Sequence, residues 1–534
     1  MSIRNIWWSL VWLTAPAMVQ AQTCRTFYVD SNTPSGNFAR AINDVNTLGC
    51  PSGGLNTIII DNGGGSFGDT VVFSPLPVIA RPVQIQLFSP GVGVRHVIRS
   101  GDSFQTGIGY GLRATARVLI ADIDIVGGSG RAFFGGILLE GGSDNSQIAG
   151  VRIENVRRQG IFLAGVAGTE IRRSSHNPVE IYNSGWGVNQ DSPAFEPAIL
   201  VNGTSNTTIY GTFLGVRQDG SAGGNCSYGI EVRSSTGVFI GLNQATINQR
   251  NHIGDNGFGG IRILDSTLVN VFGNYLGLAA NGQTMRGNGL GNCFGTTPPA
   301  LPRAGLVVTG STLVTIGGIA GQGNVIVAGN RGVVIDNSHS VTLRRTLIGQ
   351  RPSGQSGAVF GDSVVVENGS GSNGTVLIGG TDEQANVIRG GTSGTFGVRL
   401  ANGIGRTDVR RNAIWGHPSG GIQRSAAPNP PVLTLASADT GAVAGTLTAV
   451  PAAGEVDLYA DDGAQGRWYL GTLSVPASAS GFSGTVTSPE FVAGRQLTAT
   501  FTRLAGTGAG TSRFSNAQPI LGNDVVFRHG FELP

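Results

Sequence analysis

Two aspartates in the stretch VLIADIDIVGG, Asp122 and Asp124, alternate with apolar residues. In an extended strand, residues two apart share a face at roughly 7 Å, so both carboxylates are expected to point outward together. Such a pair can serve as acid and base in glycoside chemistry or hold a calcium ion; more often it is the wet face of a strand. Glu180 and His252 are the other groups whose types suit general acid–base work. Phe213, Tyr275, Trp186 and Trp415 are large rings that could stack on a sugar, or could simply pack under a loop. Lysine is absent, all 35 cationic residues being arginine, which excludes Schiff-base chemistry on a lysine. The four cysteines, Cys24, Cys50, Cys226 and Cys293, lack zinc-knuckle spacing and a suitably placed histidine. Disulfides are the expected reading, and no metal or cofactor is expected.

The surrounding composition narrows the partners. Residues 1–21, with one arginine, an apolar stretch and a Val-Gln-Ala ending, read as a cleaved secretory signal. Without them the chain carries 34 cationic and 32 acidic residues, a net charge of +2, which does not point to nucleic acid. No later stretch has the roughly 18 uninterrupted apolar residues of a membrane helix. An oxidising, exported setting suits the even cysteine count.

The elements that must position these side chains come from a repeat. TLVTIGGIAGQGNVIVAGN, ending at Asn330, returns as TVLIGGTDEQANVIRGG at 375–391, with the Ile-Gly-Gly displaced by 62 positions. Two kinds of line alternate. One holds Ile-Gly followed by Asn-x-Ile, as at Ile240 with Asn251–Ile253, Ile316 with Asn324–Ile326 and Ile378 with Asn386–Ile388. The other holds an apolar pair, a glycine and a turn ending in glycine, as at Phe213–Gly220, Tyr275–Gly282 and Leu347–Gly354. Short β-branched runs separated by Gly, Asn and Asp predict brief strands joined by tight turns. Units that cannot bury an apolar face alone must stack, which predicts an all-β protein: a right-handed parallel β-helix over 55–427, with the 62-residue spacing equal to two coils. About a dozen coils would make a rod on the order of 60 Å. Ile253, Ile326 and Ile388 are expected to form one inward column.

At this point the chain resembles the secreted right-handed parallel β-helix repeat proteins, which share the pectate-lyase-like fold. The matching residues, Gly, Asn and stacked Ile, are all of the building kind, so the resemblance implies the fold and little about activity. FARAINDVN, 38–46, is similar to the opening L-R-x-A-I-x-x-A-N of exported bacterial members, with Ala39 in place of the arginine. Phe38, Ala41, Ile42, Val45 and Leu48 fall at helical spacing, so 22–54 reads as a helical N-terminal cap closed by a Cys24–Cys50 loop. From 428 to 521 the language changes to alternating strands and resembles a bacterial Ig-like antiparallel β-sandwich. The remainder, 522–534, is a tail similar to a Phe-x-x-Gly-Phe-Glu ending of exported proteobacterial proteins.

Within the repeat, His252 and Glu180 take the place of Val325 and Val387 in their lines, two coils or about 10 Å apart, too far for a direct pair. Phe213 and Tyr275 are expected two coils apart on an outward column of the other line type. The interruption 283–304 carries Cys293 and enlarges a loop that holds Cys226 one pair of coils earlier, so these two could be bridged if the longer loop folds back. The expected function is a secreted or cell-surface protein that binds extracellular polysaccharide or cell-surface glycans, an expectation resting on analogy of fold. The alternatives are a polysaccharide lyase or glycoside hydrolase using Asp122, Asp124, Glu180 or His252, and an adhesive structural appendage.

Overall fold

The computed structural model describes residues 23–522 apart from 31–33, 51–53, 62–69, 73, 89–93, 102–107, 129–132, 186–194, 243–245, 291–301, 319–322, 358, 368–374, 392–394, 402–404, 425–427, 449–451 and 506–508. The expected signal segment and the tail from 523 lie outside the described residues, as do Trp186 and Cys293.

One coil shows how the sequence folds. Tyr228–Arg233 is a strand of a first sheet, C; the chain turns through Ser234–Gly237 into Phe239–Ile240 of a second sheet, A, and then into His252–Ile253 of a third, B. The next coil begins at Gly259–Leu264, directly on top of Tyr228–Arg233. One apolar residue of each strand, mostly isoleucine or valine, faces inward, and the register keeps these residues in line: Ile230, Ile261 and Leu306 on sheet C, Ile240, Val271 and Ile316 on sheet A. On sheet B the column runs Ile253, Leu276, Ile326, Ile348, Ile388 and Ile414. The first five are fully buried and Ile414 almost so, and each such side chain contributes about 1.5–3 kcal/mol relative to exposure. Every pairing among these strands is parallel, so the stack is a parallel β-helix. Among the described residues sheet B has twelve strands and sheet C eleven, giving a rod of about 55 Å, close to the expected length.

Stacking leaves buried polar backbone at the corners, and each corner supplies a ladder of side chains to satisfy it. Between C and A, the backbone N–H of Thr204, Ser235, Ser266 and Ser311 each donates to the hydroxyl of the equivalent serine one coil on, at 3.0, 3.2, 3.0 and 3.0 Å. Between A and B, the Asn251 amide donates to Asn274 at 2.8 Å and Asn274 to Asn324 at 3.0 Å. Between B and C, Asn225 donates to Asn256 and Asn256 to Asn288, both at 3.0 Å.

These ladders revise the reading of two alternating line types. Thr212-Phe213-Leu214, Asn251-His252-Ile253, Asn274-Tyr275-Leu276, Asn324-Val325-Ile326 and Thr346-Leu347-Ile348 are successive copies of one triplet on sheet B. The 62-residue spacing is two coils, Ile316 pairing with Leu343 and Leu343 with Ile378, but consecutive coils carry the same device.

At the N-terminal end the helix Pro34–Leu48 packs on the strands Thr23–Asp30 and Thr70–Val72. Phe38, Ala41, Ile42 and Val45 are buried, whereas Leu48, expected on the same stripe, is the last residue of the helix and 51% exposed. Cys24 and Cys50 are disulfide-bonded, Cα to Cα 5.7 Å. At the other end, Gly454–Asp461 pairs antiparallel with Trp468–Val475 and Gln496–Arg503, and a three-stranded sheet of Val432–Ala436, Ala442–Thr446 and Gly481–Thr485 packs with them around a second core. This unit continues the rod's last coil: Thr407 pairs with Gly510, and Ile414 exchanges both backbone hydrogen bonds with Gly466 at 2.7 and 2.9 Å. Arg410 reaches across to Glu455 and, at 2.8 Å, to the fully buried Asp457.

Candidate functional site

The expected wet face bearing Asp122 and Asp124 is not one. The backbone bends at Asp122, which has φ +55° and stands between the strands Val118–Ala121 and Ile123–Val126. Its side chain turns into the corner, where Oδ1 accepts hydrogen bonds from Ser174 Oγ at 2.8 Å and Asn177 Nδ2 at 2.7 Å. In the next coil the same corner is Gly150, φ +62°, and a Cβ there would come within 2.4 Å of that Oδ1. The alternating pattern was broken by a positive-φ residue, a conformation that aspartate tolerates better than most. Asp122 and Asp124 are 4% and 3% exposed.

Asp124 belongs instead to a buried ionic cluster on the outer side of sheet B. Its register partner one coil on is Arg152, and the partner of Arg152 is Glu180. Arg152 Nη2 donates to Asp124 Oδ2. Arg95, just before the strand His96–Ser100, lies across both carboxylates: its Nη2 is 2.9 Å from Glu180 Oε2 and its Nε 3.6 Å from Asp124 Oδ1. It also donates to the carbonyls of Gly150 at 2.8 Å and Pro178 at 3.1 Å. Tyr182 donates its hydroxyl to Glu180, and Arg217 lies over the Tyr182 ring at 4.4 Å. Burial pushes the Asp124 carboxyl up to about 6, with the Glu180 charge adding to the rise while Arg152 and Arg95 oppose it. Burial, together with Glu180, also holds the Tyr182 phenol well above its ordinary range. The cluster thus unites Asp124 and Glu180 of the sequence-derived candidates with Arg95, Arg152 and Tyr182, which sequence reading missed. Arg152 and Tyr182 could have been found by aligning the triplets Asp124-Ile125-Val126, Arg152-Ile153-Glu154 and Glu180-Ile181-Tyr182. Arg95 lies outside that triplet, and nothing in its neighbourhood marks it.

His252 is not part of the cluster, because Phe213 separates it from Glu180 on the column. The column continues Phe213, His252, Tyr275, and the three rings stack: Phe213 on His252 at 4.6 Å and 13°, His252 against Tyr275 edge-on at 5.4 Å. Phe213 and Tyr275 are therefore two coils apart as expected, with His252 between them. They are not the open faces that direct ring stacking on a sugar needs, being 6% and 8% exposed. The glycine-ended turns fold back as small hairpins, Val216 pairing with Ala222 and Leu278 with Met285, and place Val216, Ala279 and Leu278 against the rings. Trp415 is half-buried on the strand Ala413–Trp415, with the Arg467 guanidinium 5.6 Å from its ring. Cys226 is disulfide-bonded; its expected partner lies outside the described residues.

Sheet C is also covered outside, Leu200, Glu231, Val307, Val334 and Val365 on its outward column being buried. Sheet A differs. Its outward column runs Leu119, Gln147, Glu170, Thr208, Phe239, Asn270, Thr315, Thr342 and Leu377, and none of these is buried, Phe239 being 42% exposed. Toward the C-terminal end the face deepens into an open groove of about 730 Å³. Asn270, Thr315 and Thr342 form its floor, Leu268 and Leu313 one wall, and Arg406 with Asp408 its end, paired at 2.7 Å. Leu268 and Leu313 both have φ +55° and are 51% and 50% exposed. They occupy a corner column that Asn145, Gly168, Asn206, Gly237 and Ser340 fill in other coils, all at positive φ. A left-handed conformation costs an ordinary residue about 1–2 kcal/mol.

No family model and no curated protein matches the chain. Among solved structures it is similar to the A-module of a mannuronan C-5 epimerase from Azotobacter vinelandii, at 12% identity and a TM-score of 0.40, covering 73% of this chain and 94% of that one. It is also similar to an alginate lyase from Paenibacillus, at 13% and 0.33 over 72% and 99% of the chains. A third is the catalytic unit of an α-1,3-glucanase from Streptomyces thermodiastaticus, at 12% and 0.34 over 75% and 69%.

Proposed function

We propose that this is an exported β-helix protein that binds extracellular polysaccharide along the outward face of sheet A. The observation that carries the reading is the contrast between the faces. Sheets B and C hide most of their outward columns under hairpins, loops and ion pairs, whereas from Leu119 to Leu377 sheet A leaves one side chain per coil open to solvent, most of them polar: Gln147, Glu170, Thr208, Asn270, Thr315 and Thr342. Hydroxyls and amides at a regular rise of about 4.8 Å offer donors and acceptors to a chain of repeating hydroxylated units. Export is supported by the Cys24–Cys50 disulfide and by the leader-like composition of 1–21. Among the described residues no helix is long and apolar enough to cross a membrane. The helix Pro34–Leu48 is read as a cap on the first coil, and the antiparallel unit as an Ig-like sandwich closing the last.

The rival enzymatic reading draws on the raised Asp124 carboxyl. Asp124 and Glu180, however, are committed to Arg95, Arg152 and Tyr182 and are almost fully buried, so neither faces a substrate. The test is to pass the purified protein over immobilised neutral and uronate polysaccharides while following unsaturated products and reducing ends. Retention without product is expected. Product formation that disappears in Asp124→Asn or Glu180→Gln would replace this reading with the enzymatic one, and absence of both retention and product would discard it.

A further inference from the structure

The geometry points to a neutral glycan strand as the ligand of the sheet A groove, gripped on its apolar ring faces by Leu268 and Leu313; this rests on the binding reading above and gives it a ligand class and two specificity residues. The corner column at Gly237, Leu268, Leu313 and Ser340 takes a left-handed backbone in seven consecutive coils, from Asn145 to Ser340, a conformation that glycine and asparagine reach easily and leucine does not. The chain meets that demand with Asn or Gly at four places, Asn145, Gly168, Asn206 and Gly237. It then puts leucine at two consecutive coils, with half of each side chain in water. Backbone conformation therefore disfavours leucine at both positions, and burial rewards it only in part. Both are at the wall of the groove. With Leu377 on the floor, they give a polar strip of Asn270, Thr315 and Thr342 an apolar margin.

A pyranose ring has the matching character, C–H groups on its faces and hydroxyls at its edges. Successive rungs about 4.8 Å apart are comparable to the advance of one extended sugar unit, so a strand lying along the rod axis can present one unit to each coil. The charge of the lining selects the class. Its ionic groups are Arg406 and Asp408, and the guanidinium is held by both carboxylate oxygens, Nε to Oδ1 at 3.1 Å and Nη2 to Oδ2 at 2.7 Å. A uronate chain would find its repeated negative charge opposed by no cation free of an internal partner among the lining residues, whereas a neutral chain has no such requirement.

The experiment compares the full exported chain with the Leu268→Asn/Leu313→Asn double variant, which installs the residue found at Asn145 and Asn206. Thermal unfolding, sedimentation and affinity electrophoresis in neutral glucans, mannans and xylans and in alginate and polygalacturonate are read together. The expected result is a Tm within about 2 °C of the parent, because relief of the left-handed strain offsets the apolar contact that is lost, with retention in a neutral polysaccharide weakened at least tenfold. Retention in neutral glycan that survives the double substitution overturns the inference while leaving glycan binding intact. So does a parent protein retained by uronates alone, or a parent dimer that the substitutions dissociate, which would make the groove a contact between copies. A parent that no polysaccharide retains discards the binding reading itself.

Discussion

Replacing Arg95 by methionine removes the cation that lies between Asp124 and Glu180 while keeping most of the volume of the side chain. The two carboxylates are 4% and 9% exposed at the side chain, so neither can recover its solvation from water. Taking one partner from a buried ion pair costs about 3–5 kcal/mol, and the carbonyls of Gly150 and Pro178 lose their donors as well. The loss should depend on pH in a definite direction. In the parent the Asp124 carboxyl lies at about 6 against an ordinary 3.8. Between these values the folded state binds a proton that the unfolded state does not, so the contribution of Asp124 to stability falls as pH rises through this window, by about 3 kcal/mol in all at 1.36 kcal/mol per unit. Arg95 opposes that rise; without it the folded carboxyl climbs further, and the window extends above 6. Arg95→Met should therefore be penalised most at pH 8 and less at pH 5, by more than about 1 kcal/mol. Glu180→Gln in the Arg95→Met background should recover part of the loss, since it removes one of the stranded charges.

Urea unfolding followed by circular dichroism gives the global loss, and hydrogen exchange gives its location. Coils in a stacked repeat contact only their neighbours, so faster exchange should be confined to the strands Ile123–Val126, Arg152–Glu154 and Val179–Tyr182 and the coils flanking them. A penalty below about 1 kcal/mol at pH 8, or one that is the same at pH 5 and pH 8, would refute the claim that this cluster is held together by charge.

Two further outcomes follow from the corners and the N-terminal end. Asn274→Ala leaves the Asn251 amide and the Asn324 carbonyl without their side-chain partner in a dry corner and removes the donor to the Ile240 carbonyl. A loss of about 2–4 kcal/mol is expected from the unsatisfied groups, against less than about 0.5 kcal/mol for Asn270→Ala on the open face, and thermal unfolding of the pair of variants measures the contrast. Cys24→Ser opens a loop spanning 26 positions and should destabilise by about 3.5 kcal/mol in the chain-entropy estimate, with limited proteolysis cutting first in the helix Pro34–Leu48.

The inward architecture was legible because burial is periodic and repeats at every coil. Ile253, Ile326 and Ile388 could be aligned by their asparagine two residues earlier, and that alignment held in the structure to full burial. The same asparagines contained more than was read from them. Asn274 and Asn412 stand before an apolar residue at the same offset, and Thr212 and Thr346 replace asparagine in the same triplet. Aligning on Asn or Thr, instead of on Ile-Gly, would have merged the two line types and put His252 between Phe213 and Tyr275 in advance.

Outward chemistry was harder to read because its geometry is set by residues far away in sequence. Whether a ring on a column is open or covered depends on a hairpin whose length varies from coil to coil, and Phe213 and Tyr275 went under cover on the strength of Val216 and Leu278. Asp122 and Asp124 illustrate the other failure: an alternating pattern assigns a face only while the backbone stays extended, and a single left-handed residue sends the two carboxylates to different environments. The same reasoning makes Leu268 and Leu313 informative. A corner that can be built from Asn, Gly or Ser carries no instruction to use leucine, and leucine there gains neither a relaxed backbone nor a dry site. When a residue departs from the choice its own repeat makes elsewhere, at a place where burial rewards it only in part, the proposed ligand of the groove supplies a reason that the chain's own folding does not.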